Sequence, residues 1–205
     1  MTYSKLQIDS PIEVYEVLKK HITELGDVPG LTCEIGLRRG GGTKFILDCF
    51  QENKNVRPHI CIDPYGNIMY NDIVGAHRSD YNDNMKNETL SELYKYAYDN
   101  SLNVLFFNFE DSEFYKRFSD GVPIYDQEKT IINNYCFVHV DGQHEVNSVR
   151  MAATFFIPRM SMHGILAFDN TDHYDHTTIH ELMIRNNFAL VDDVVHKKVY
   201  KRIQK

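Results

Sequence analysis

The stretch CEIGLRRGGGTKFIL, residues 33–47, decides the fold. An apolar run ends in an acid, turns on closely spaced glycines and resumes as an amphipathic helix. Gly36, Gly40 and Gly41 let the backbone turn sharply and approach a ligand, because positive φ angles cost little only for glycine. Backbone amides at the start of the following helix attract polar or anionic groups. We therefore expect a strand, a ligand-binding turn and a helix here.

Four more β-rich apolar runs follow the first strand, which we place at 31–35. Helix-like segments separate the runs, as the crossovers between parallel strands require. The stretch FALVDDVVHKKVYKRI, 188–203, differs because it is typical of two strands about a tight turn, an arrangement common at the edge of a parallel sheet. The pattern predicts a doubly wound, Rossmann-like α/β fold whose mostly parallel, seven-stranded sheet ends in an antiparallel hairpin. The four runs lie at 59–63, 102–107, 135–140 and 163–168.

The chain length of 205 residues suits one domain with a substantial core, so we expect a single domain over 1–205. Residues 1–30 are expected to form a leading helix. Asp9 or Ser10 is a suitable cap for this helix, and Pro11 suits its first position.

A long connection over 64–100 separates the second and third strands, and we expect a helix in it only after Asn87. Long loops beside the carboxyl ends of parallel strands tend to be lids or substrate-binding elements. A plain surface insertion is the alternative. Tyr94 and Tyr98 are four residues apart and are expected to pack on the core from one helical face.

Composition favours a small-molecule partner. The formal net charge of -7 argues against nucleic acid or an anionic membrane as the partner. The four cysteines form no C-x-x-C pair and three lie in apolar runs, so reduced core thiols and a cytoplasmic location are expected. No signal-peptide pattern occurs, and no run approaches the roughly 18 apolar residues of a membrane span. A homo-oligomer packed through the leading helix and the insertion stays open.

The glycine spacing distinguishes between three kinds of nucleotide site. A dinucleotide site requires G-x-G-x-x-G, whereas this turn has G-x-x-x-G-G. A P-loop fits less well, because Gly42-Thr43-Lys44 inverts the order of lysine and hydroxyl residue. Acid-x-Gly-x-x-x-Gly-Gly after a first strand resembles motif I of class I methyltransferases, which use S-adenosylmethionine. The resemblance implies that this cofactor is contacted by Glu34, Gly36, Gly40 and Gly41.

Acids at the ends of the next two strands extend the resemblance. Asp63, in CIDPYG, ends the second strand where methyltransferases and dinucleotide folds place a carboxylate on ribose hydroxyls. Asp111 and Ser112 follow the third strand where the family contacts adenine. The glycine that usually precedes that acid is missing here.

Carboxylates also follow the fourth and fifth strands. Asp141 follows the fourth directly, and Asp169 with Asn170 follows the fifth, so their oxygens are expected in one crevice. Two carboxylates and an amide suit Mg²⁺. His144, expected on the first turn of the next helix, is a suitable general base. The alternatives are helix capping by the aspartates and a solvated histidine.

The motifs VDGQH and AFDN resemble those of the metal-dependent macrocin and mycinamicin sugar O-methyltransferases. That resemblance implies that Asp141 serves the metal and the cofactor and that His144 is catalytic. It also implies that Asp169 and Asn170 complete the metal site. The Asp-Asn pair is closer to catechol-type enzymes, whose base is a lysine. The implied reaction is methylation of a hydroxyl, most readily of a vicinal diol on a sugar or a catechol.

The histidines of DHYDHTTIHE leave a further site open. His173, His176 and His180 could form a soft-metal site or line the acceptor pocket, unless Asp175 caps a helix and leaves the first two in a loop. Two other functions also remain: an NAD-dependent oxidoreductase, and a methyltransferase-like binding module without activity.

Overall fold

A computed structural model describes residues 3–8, 12–66, 69–72, 75–78 and 81–204, with backbone alone for 69–72 and 75–78. The helices are α1 (Glu13–Leu25), α2 (Gly41–Glu52), α3 (Asp83–Asp99), α4 (Asp111–Arg117), α5 (Val146–Phe156) and α6 (Thr177–Arg185). The strands are β1 (Leu31–Ile35), β2 (His59–Ile62), β3 (Met69–Asp72), β4 (Gly75–Arg78), β5 (Val104–Phe107), β6 (Val122–Tyr125), β7 (Lys129–Ile132), β8 (Tyr135–Val140), β9 (Met160–Asp169), β10 (Phe188–Val194) and β11 (Lys197–Arg202).

Seven strands form one sheet in the order β10-β11-β9-β8-β1-β2-β5. Neighbouring strands from β9 to β5 are parallel, whereas β11 runs antiparallel to both β9 and β10. The predicted fold class, including the C-terminal hairpin, is confirmed. The sequence did not predict two further hairpins, β3–β4 and β6–β7, each of which pairs antiparallel apart from the main sheet.

Apolar layers cover both faces of the sheet, which explains why β1 and β8 are buried at every position. One layer is packed with Phe114, Phe156 and Met183 from α4, α5 and α6. The opposite layer contains Leu18 and Ile46, from α1 and α2. A third cluster joins residues 3–8 to α3.

Several expected boundaries moved. Helix α3 begins at Asp83, before the expected Asn87, because the side chain of Asn82 accepts a hydrogen bond from the Met85 amide at 2.9 Å. On the same helix Tyr94 and Tyr98 are 46% and 87% exposed, so the expectation that they pack in the core is wrong.

The buried ring of α3 is Tyr96, 2% exposed. Helix α1 begins at Glu13, and the proposed cap residues Asp9, Ser10 and Pro11 lie outside the described part of the chain.

The register brings the carboxyl ends of the three central strands to one level. Ile35 pairs with Val140, and Val140 pairs with Phe168. The chain crosses itself closely at this edge, because a Cβ on Gly36 would lie 2.0 Å from the main-chain oxygen of Asp141. With its φ of +88°, Gly36 therefore brings the end of β1 against the end of β8.

The amino-terminal segment, residues 3–8, lies against the glycine turn. Gln7 forms an isolated parallel bridge with Gly40. A Cβ on Gly41 would lie 2.1 Å from the main-chain carbon of Gln7, so the absence of a side chain makes room for this segment. Part of the close approach that we expected for a ligand is therefore made by the protein's own backbone.

All four cysteines are buried, and none is in a disulfide. Among the described helices, none has the length and apolar character that crossing a membrane requires.

Removing the cap of α3 should destabilise the protein. Asn82→Ala is expected to lower the free energy of unfolding by about 1 kcal/mol, because the Met85 amide loses its acceptor. Urea denaturation at neutral pH measures the change. Asn87→Ala is the matched control: Asn87 is exposed in the same helix, and alanine there should be neutral or stabilising. Equal losses in the two variants would contradict the cap assignment.

Candidate active site

A cleft opens at the level edge formed by β1, β8 and β9. It encloses about 590 Å³, a volume that includes its opening to solvent. Seven of the sequence-predicted site residues line it: Glu34, Gly36, Gly41, Asp141, His144, Asp169 and Asn170. Gln7, Ile8 and Tyr81 also line the cleft.

Two carboxyl groups meet on the floor of the cleft. Burial, and then the nearby Asp169, raise the pKa of Asp141 well above its usual range. Burial also acts on Asp169, but the ammonium of Lys197 outweighs it and lowers the pKa of that carboxyl. Tyr15 donates its hydroxyl to Asp141 Oδ2 at 3.2 Å, and burial raises the pKa of this phenol far above its usual value. Asp169 is therefore the ionised member of the pair, and Tyr15 stays a donor.

The charge that holds Asp169 ionised is the ammonium of Lys197. Its Nζ lies 2.6 Å from Asp169 Oδ2, and the lysine side chain is fully buried. The antiparallel register makes the contact, since Lys197 pairs directly with Asp169 across β11 and β9. The same ammonium lies 4.6 Å from the centre of the Tyr15 ring. Sequence reasoning did not identify Lys197.

A chain of hydrogen bonds connects Lys197, across the sheet, to Glu34 at the start of the glycine turn. Lys197 Nζ lies 3.1 Å from His139 Nε2, and His139 Nδ1 lies 2.9 Å from Glu34 Oε1. An ammonium only donates, so Nε2 is the acceptor and the imidazole proton is on Nδ1, donated to Glu34. Thr43 on α2 donates to the other Glu34 oxygen at 2.6 Å. Glu34, a predicted cofactor ligand, is thus an internal acceptor that is only 1% exposed.

His144 lies in the loop before α5, two residues ahead of the helix on which it was expected. Its Nε2 is 2.9 Å from the side-chain amide nitrogen of Asn170. The amide hydrogen fills the lone pair of Nε2, and this arrangement directs the amide oxygen of Asn170 away from the ring. The predicted base and the predicted metal ligand are therefore in contact.

Four other predicted cofactor residues lie outside the cleft lining. Both carboxylate oxygens of Asp63 accept backbone amides, Oδ2 from Arg38 at 2.9 Å and Oδ1 from Tyr65 at 3.0 Å. Burial raises the pKa of Asp63 to about 6, although these amides oppose the shift. The Asp63 side chain is 2% exposed, and its hydrogen bond to the Arg38 amide stabilises the glycine turn.

Gly40 caps α2 with a φ of +70° and packs against Leu6. Asp111 begins α4, where its Oδ1 accepts the amide of Ser112 at 2.7 Å. The structure therefore brings the glycine turn and the strand-end acids of β8 and β9 together, and it places Gly40, Asp63, Asp111 and Ser112 outside their cleft.

The histidines after β9 do not converge on one point. His176 Nε2 and His180 Nδ1 both contact the Tyr200 hydroxyl, at 3.1 and 3.0 Å. Asp175 accepts the Thr177 amide at 3.0 Å at the start of α6, as the capping alternative predicted. His173 lies apart from both in the loop after β9.

The polar network contains residues that the sequence analysis missed, namely Tyr15, Thr43, His139 and Lys197. A signal was present: His139 is two residues before Asp141 in an apolar strand, so both point to the same face of the sheet. Lys197 is likewise two residues before the apolar Val199 in a strand, so both side chains point to the same face of the sheet.

Comparison with known proteins identifies the family. A family model described as "Methyltransferase domain" matches residues 33–171, about two thirds of the chain. The chain belongs to this methyltransferase family. The class I methyltransferase recognised from the glycine turn is confirmed, and the match covers the motif, the acids of β8 and β9, and His144. No curated protein sequence matches this methyltransferase.

Solved structures with the same fold include several O-methyltransferases. The O-methyltransferase NovP superposes with a TM-score of 0.62 at 17% identity, over 94% of this chain and 81% of its own. TomG from Streptomyces achromogenes, an O-methyltransferase of tomaymycin synthesis in complex with SAM, gives 0.61 at 10%, over 98% and 83%. CalS11, a TDP-rhamnose 3'-O-methyltransferase, gives 0.60 at 11%, over 93% and 77%. At these identities the likeness establishes the fold of this methyltransferase.

Removing the buried ammonium should destabilise the protein strongly. Lys197→Met is expected to lower the free energy of unfolding by about 3 kcal/mol, because Asp169 keeps a buried charge without a partner. Urea denaturation measures the change. Lys198→Met is the control: its ammonium pairs with exposed Asp193, and its removal should cost below about 1 kcal/mol. A small loss in Lys197→Met would contradict the assigned ion pair.

A buried histidine at the glycine-turn end of the network should make stability fall in acid. Burial, and then His139, lower the pKa of His59 from 6.5 to about 3. As the pH falls below 6.5, the unfolded chain takes up the proton first, so the native state loses about 2 kcal/mol by pH 5.

His59→Gln keeps polar atoms beside Thr32 and Thr43 but does not titrate. Between pH 7 and pH 5 its free energy of unfolding should fall by about 2 kcal/mol less than that of the wild type. Parallel losses in both proteins would show that His59 does not stay neutral in the native state.

Proposed function

We propose that this methyltransferase transfers the methyl group of S-adenosylmethionine to a hydroxyl of a small molecule, with a divalent cation at the reacting oxygen. The observation that carries the proposal is the meeting of Asp141, Asp169, Asn170 and His144 in the cleft that the glycine turn borders. A carboxylate pair, an amide oxygen and a base are the groups needed to bind and deprotonate a hydroxyl.

The glycine turn offers a surface for the cofactor. Gly36, Gly41 and Gly42 line the cleft without side chains, so backbone amides at the start of α2 are within reach of a polar ligand. Leu37 and Ile8 add apolar surface beside them. When bound, S-adenosylmethionine supplies a methyl group on a cationic sulfur that an oxygen nucleophile attacks.

The donor set on the cleft floor fits a hard divalent cation. Asp141 and Asp169 together carry two negative charges when ionised, and Lys197 compensates one of them. Asn170 presents its amide nitrogen to His144, which orients the oxygen for a cation. The Asp141 carboxyl whose pKa is raised by burial and by Asp169 would be stabilised in its ionised form by a positive ion beside it. Mg²⁺ bound by Asp141, Asp169 and Asn170 would lower the pKa of a hydroxyl that it contacts.

His144 is the proton acceptor in this proposal. Asn170 holds the ring through Nε2, so the lone pair of that nitrogen points to a side chain that lines the cleft together with the two acids. An acceptor hydroxyl that replaces the amide group at Nε2 gives its proton to the ring. The resulting oxygen nucleophile is aligned with the methyl group by the walls of the cleft, which is where most of the rate enhancement arises.

A sugar is the acceptor that we propose. Polar and charged side chains dominate the cleft, among them Arg38, Arg39, Gln7 and Tyr81, as suits a hydroxylated ligand. The Arg38 guanidinium lies 5.7 Å from the centre of the Tyr81 ring, so two of these lining side chains also contact each other. A sugar offers the neighbouring hydroxyls that a divalent cation chelates. The solved relative CalS11 is a TDP-rhamnose 3'-O-methyltransferase.

Calorimetric titration tests the cofactor and the cation separately. S-adenosylmethionine and its demethylated product are titrated with and without Mg²⁺ into the wild type, Asp141→Asn and the exposed-loop control Asp126→Asn. We expect the cofactor to bind all three proteins and Mg²⁺ affinity to fall at least about tenfold in Asp141→Asn alone. Absence of cofactor binding by the wild type would refute the methyltransferase proposal. Unchanged Mg²⁺ affinity in Asp141→Asn would refute the metal site alone.

Loss of the base should affect turnover and not cofactor affinity. His144→Gln is expected to lower kcat about 10²- to 10⁴-fold on a hydroxyl acceptor while the cofactor Kd stays within about twofold of the wild-type value. Mass spectrometry of product from a panel of nucleotide sugars, free sugars and catechols measures turnover. Full activity of His144→Gln would exclude His144 as the base.

A further inference from the structure

We propose that Asp172, His173 and His196 form a second metal site, suited to a borderline transition-metal ion such as Zn²⁺. Its ligands are distinct from the oxygen donors at Asp141, Asp169 and Asn170. It does not depend on the proposed methyl transfer.

Three ligand atoms already face one another in this cluster. One atom from each side chain lies within 4.8 Å of the other two. His196 Nδ1 is 2.8 Å from the Asp172 carboxylate, and His173 Nε2 is 3.8 Å from Asp172 Oδ2. Ligand atoms around a tetrahedral zinc ion are about 3.3 Å apart, as bonds of 2.0–2.1 Å require. The two separations in the cluster, 2.8 and 3.8 Å, each lie within about 0.5 Å of that spacing.

The backbone holds the two contributing segments together. Asp172 and His173 lie in the loop after β9, and His196 lies in the turn between β10 and β11. The Thr171 amide donates to the main-chain oxygen of His196 at 3.1 Å, and the His173 amide donates to that of Asn170 at 2.9 Å. The site therefore joins two segments that are already hydrogen-bonded.

The ligand types select the ion. Two imidazoles and one carboxylate are nitrogen-rich, which favours Zn²⁺, Ni²⁺ or Co²⁺ over Mg²⁺. Three protein ligands leave one position of a tetrahedral ion for water. The side chains of Asp172, His173 and His196 are 45%, 48% and 40% exposed, so an ion can enter directly from solvent.

Other histidine clusters in the described chain are accounted for by internal contacts. Glu34, His139 and Asp141 also lie within 4.8 Å of one another, but Lys197 and Glu34 occupy both nitrogens of His139. His176 and His180 are held on the Tyr200 hydroxyl.

The site lies beside the proposed base. The His173 ring meets the His144 ring edge-on, with centroids 6.3 Å apart, and the His196 ring is 5.9 Å from His173 on its other side. An ion held by His173 and His196 would fix the His173 ring. A metal at this cluster therefore sets the position of a side chain in contact range of His144.

Cobalt binding tests the proposal, because Co²⁺ reports its coordination by visible absorption and replaces Zn²⁺ in such sites. The titration is done with excess Mg²⁺ on the wild type, His196→Gly, His163→Gly and Asp141→Asn. His163 is the matched control, because it is an exposed histidine with a φ of +66°, against +70° for His196. Both glycine substitutions therefore relieve a similar strain from a positive φ angle.

We expect Co²⁺ to bind the wild type, His163→Gly and Asp141→Asn with similar affinity, and His196→Gly at least about tenfold more weakly. Asp172→Asn and His173→Gln should weaken binding in the same way. Wild-type affinity in His196→Gly would overturn the proposal, and so would loss of the signal in Asp141→Asn with retention in His196→Gly. Zn²⁺ competition against the Co²⁺ signal confirms the ion preference.

Discussion

The ion pair between Lys197 and Asp169 is the contact on which the cleft depends. Two carboxyl groups, the half-buried Asp141 and the buried Asp169, meet on the cleft floor, where two negative charges would repel each other and a buried charge loses hydration. The ammonium 2.6 Å from Asp169 offsets this cost, and its remaining hydrogen-bonding capacity is used on His139. Because His139 in turn donates to Glu34, the same charge orders the glycine turn on the other side of β8. A buried ion pair is often neutral for overall stability, so its role here is better described as fixing which groups face the cleft.

The position of Lys197 follows from the one antiparallel strand of the sheet. Strand β11 runs opposite to β9, so its first residue pairs with the last residue of β9. A parallel strand at this place would begin at the far edge of the sheet and bring no amino-terminal residue to the cleft. The antiparallel hairpin thus supplies a cation to an edge that the parallel strands supply only with acids. The divalent cation that we propose would meet one carboxylate there that Lys197 does not compensate.

The sequence predicted the sheet, the glycine turn and the acids at the ends of β8 and β9. Strands that are buried on both faces have continuous apolar sequences, and these runs end abruptly at those residues. It did not predict Lys197, since a lysine in HKKVYK reads as the solvated side of an edge strand. It placed Asp63 correctly at a strand end but could not show that the Arg38 and Tyr65 amides donate to its carboxylate oxygens. Helical spacing favoured Tyr94 and Tyr98 for the core, whereas the direction in which α3 packs buries Tyr96. These three features depend on which distant segments of the chain pack against each residue, and a local sequence pattern does not contain that information.

The buried network also constrains the order in which the protein can fold. Glu34 and His139 are 105 residues apart, and Lys197 comes 58 residues after His139. During synthesis the acids of the cleft emerge well before the ammonium that neutralises them, so an intermediate without β11 must keep that edge hydrated. Contacts between such distant residues form late, because closing long loops is entropically costly. The floor of the cleft is complete only when β11 is paired with β9, because that strand supplies the ammonium that contacts Asp169.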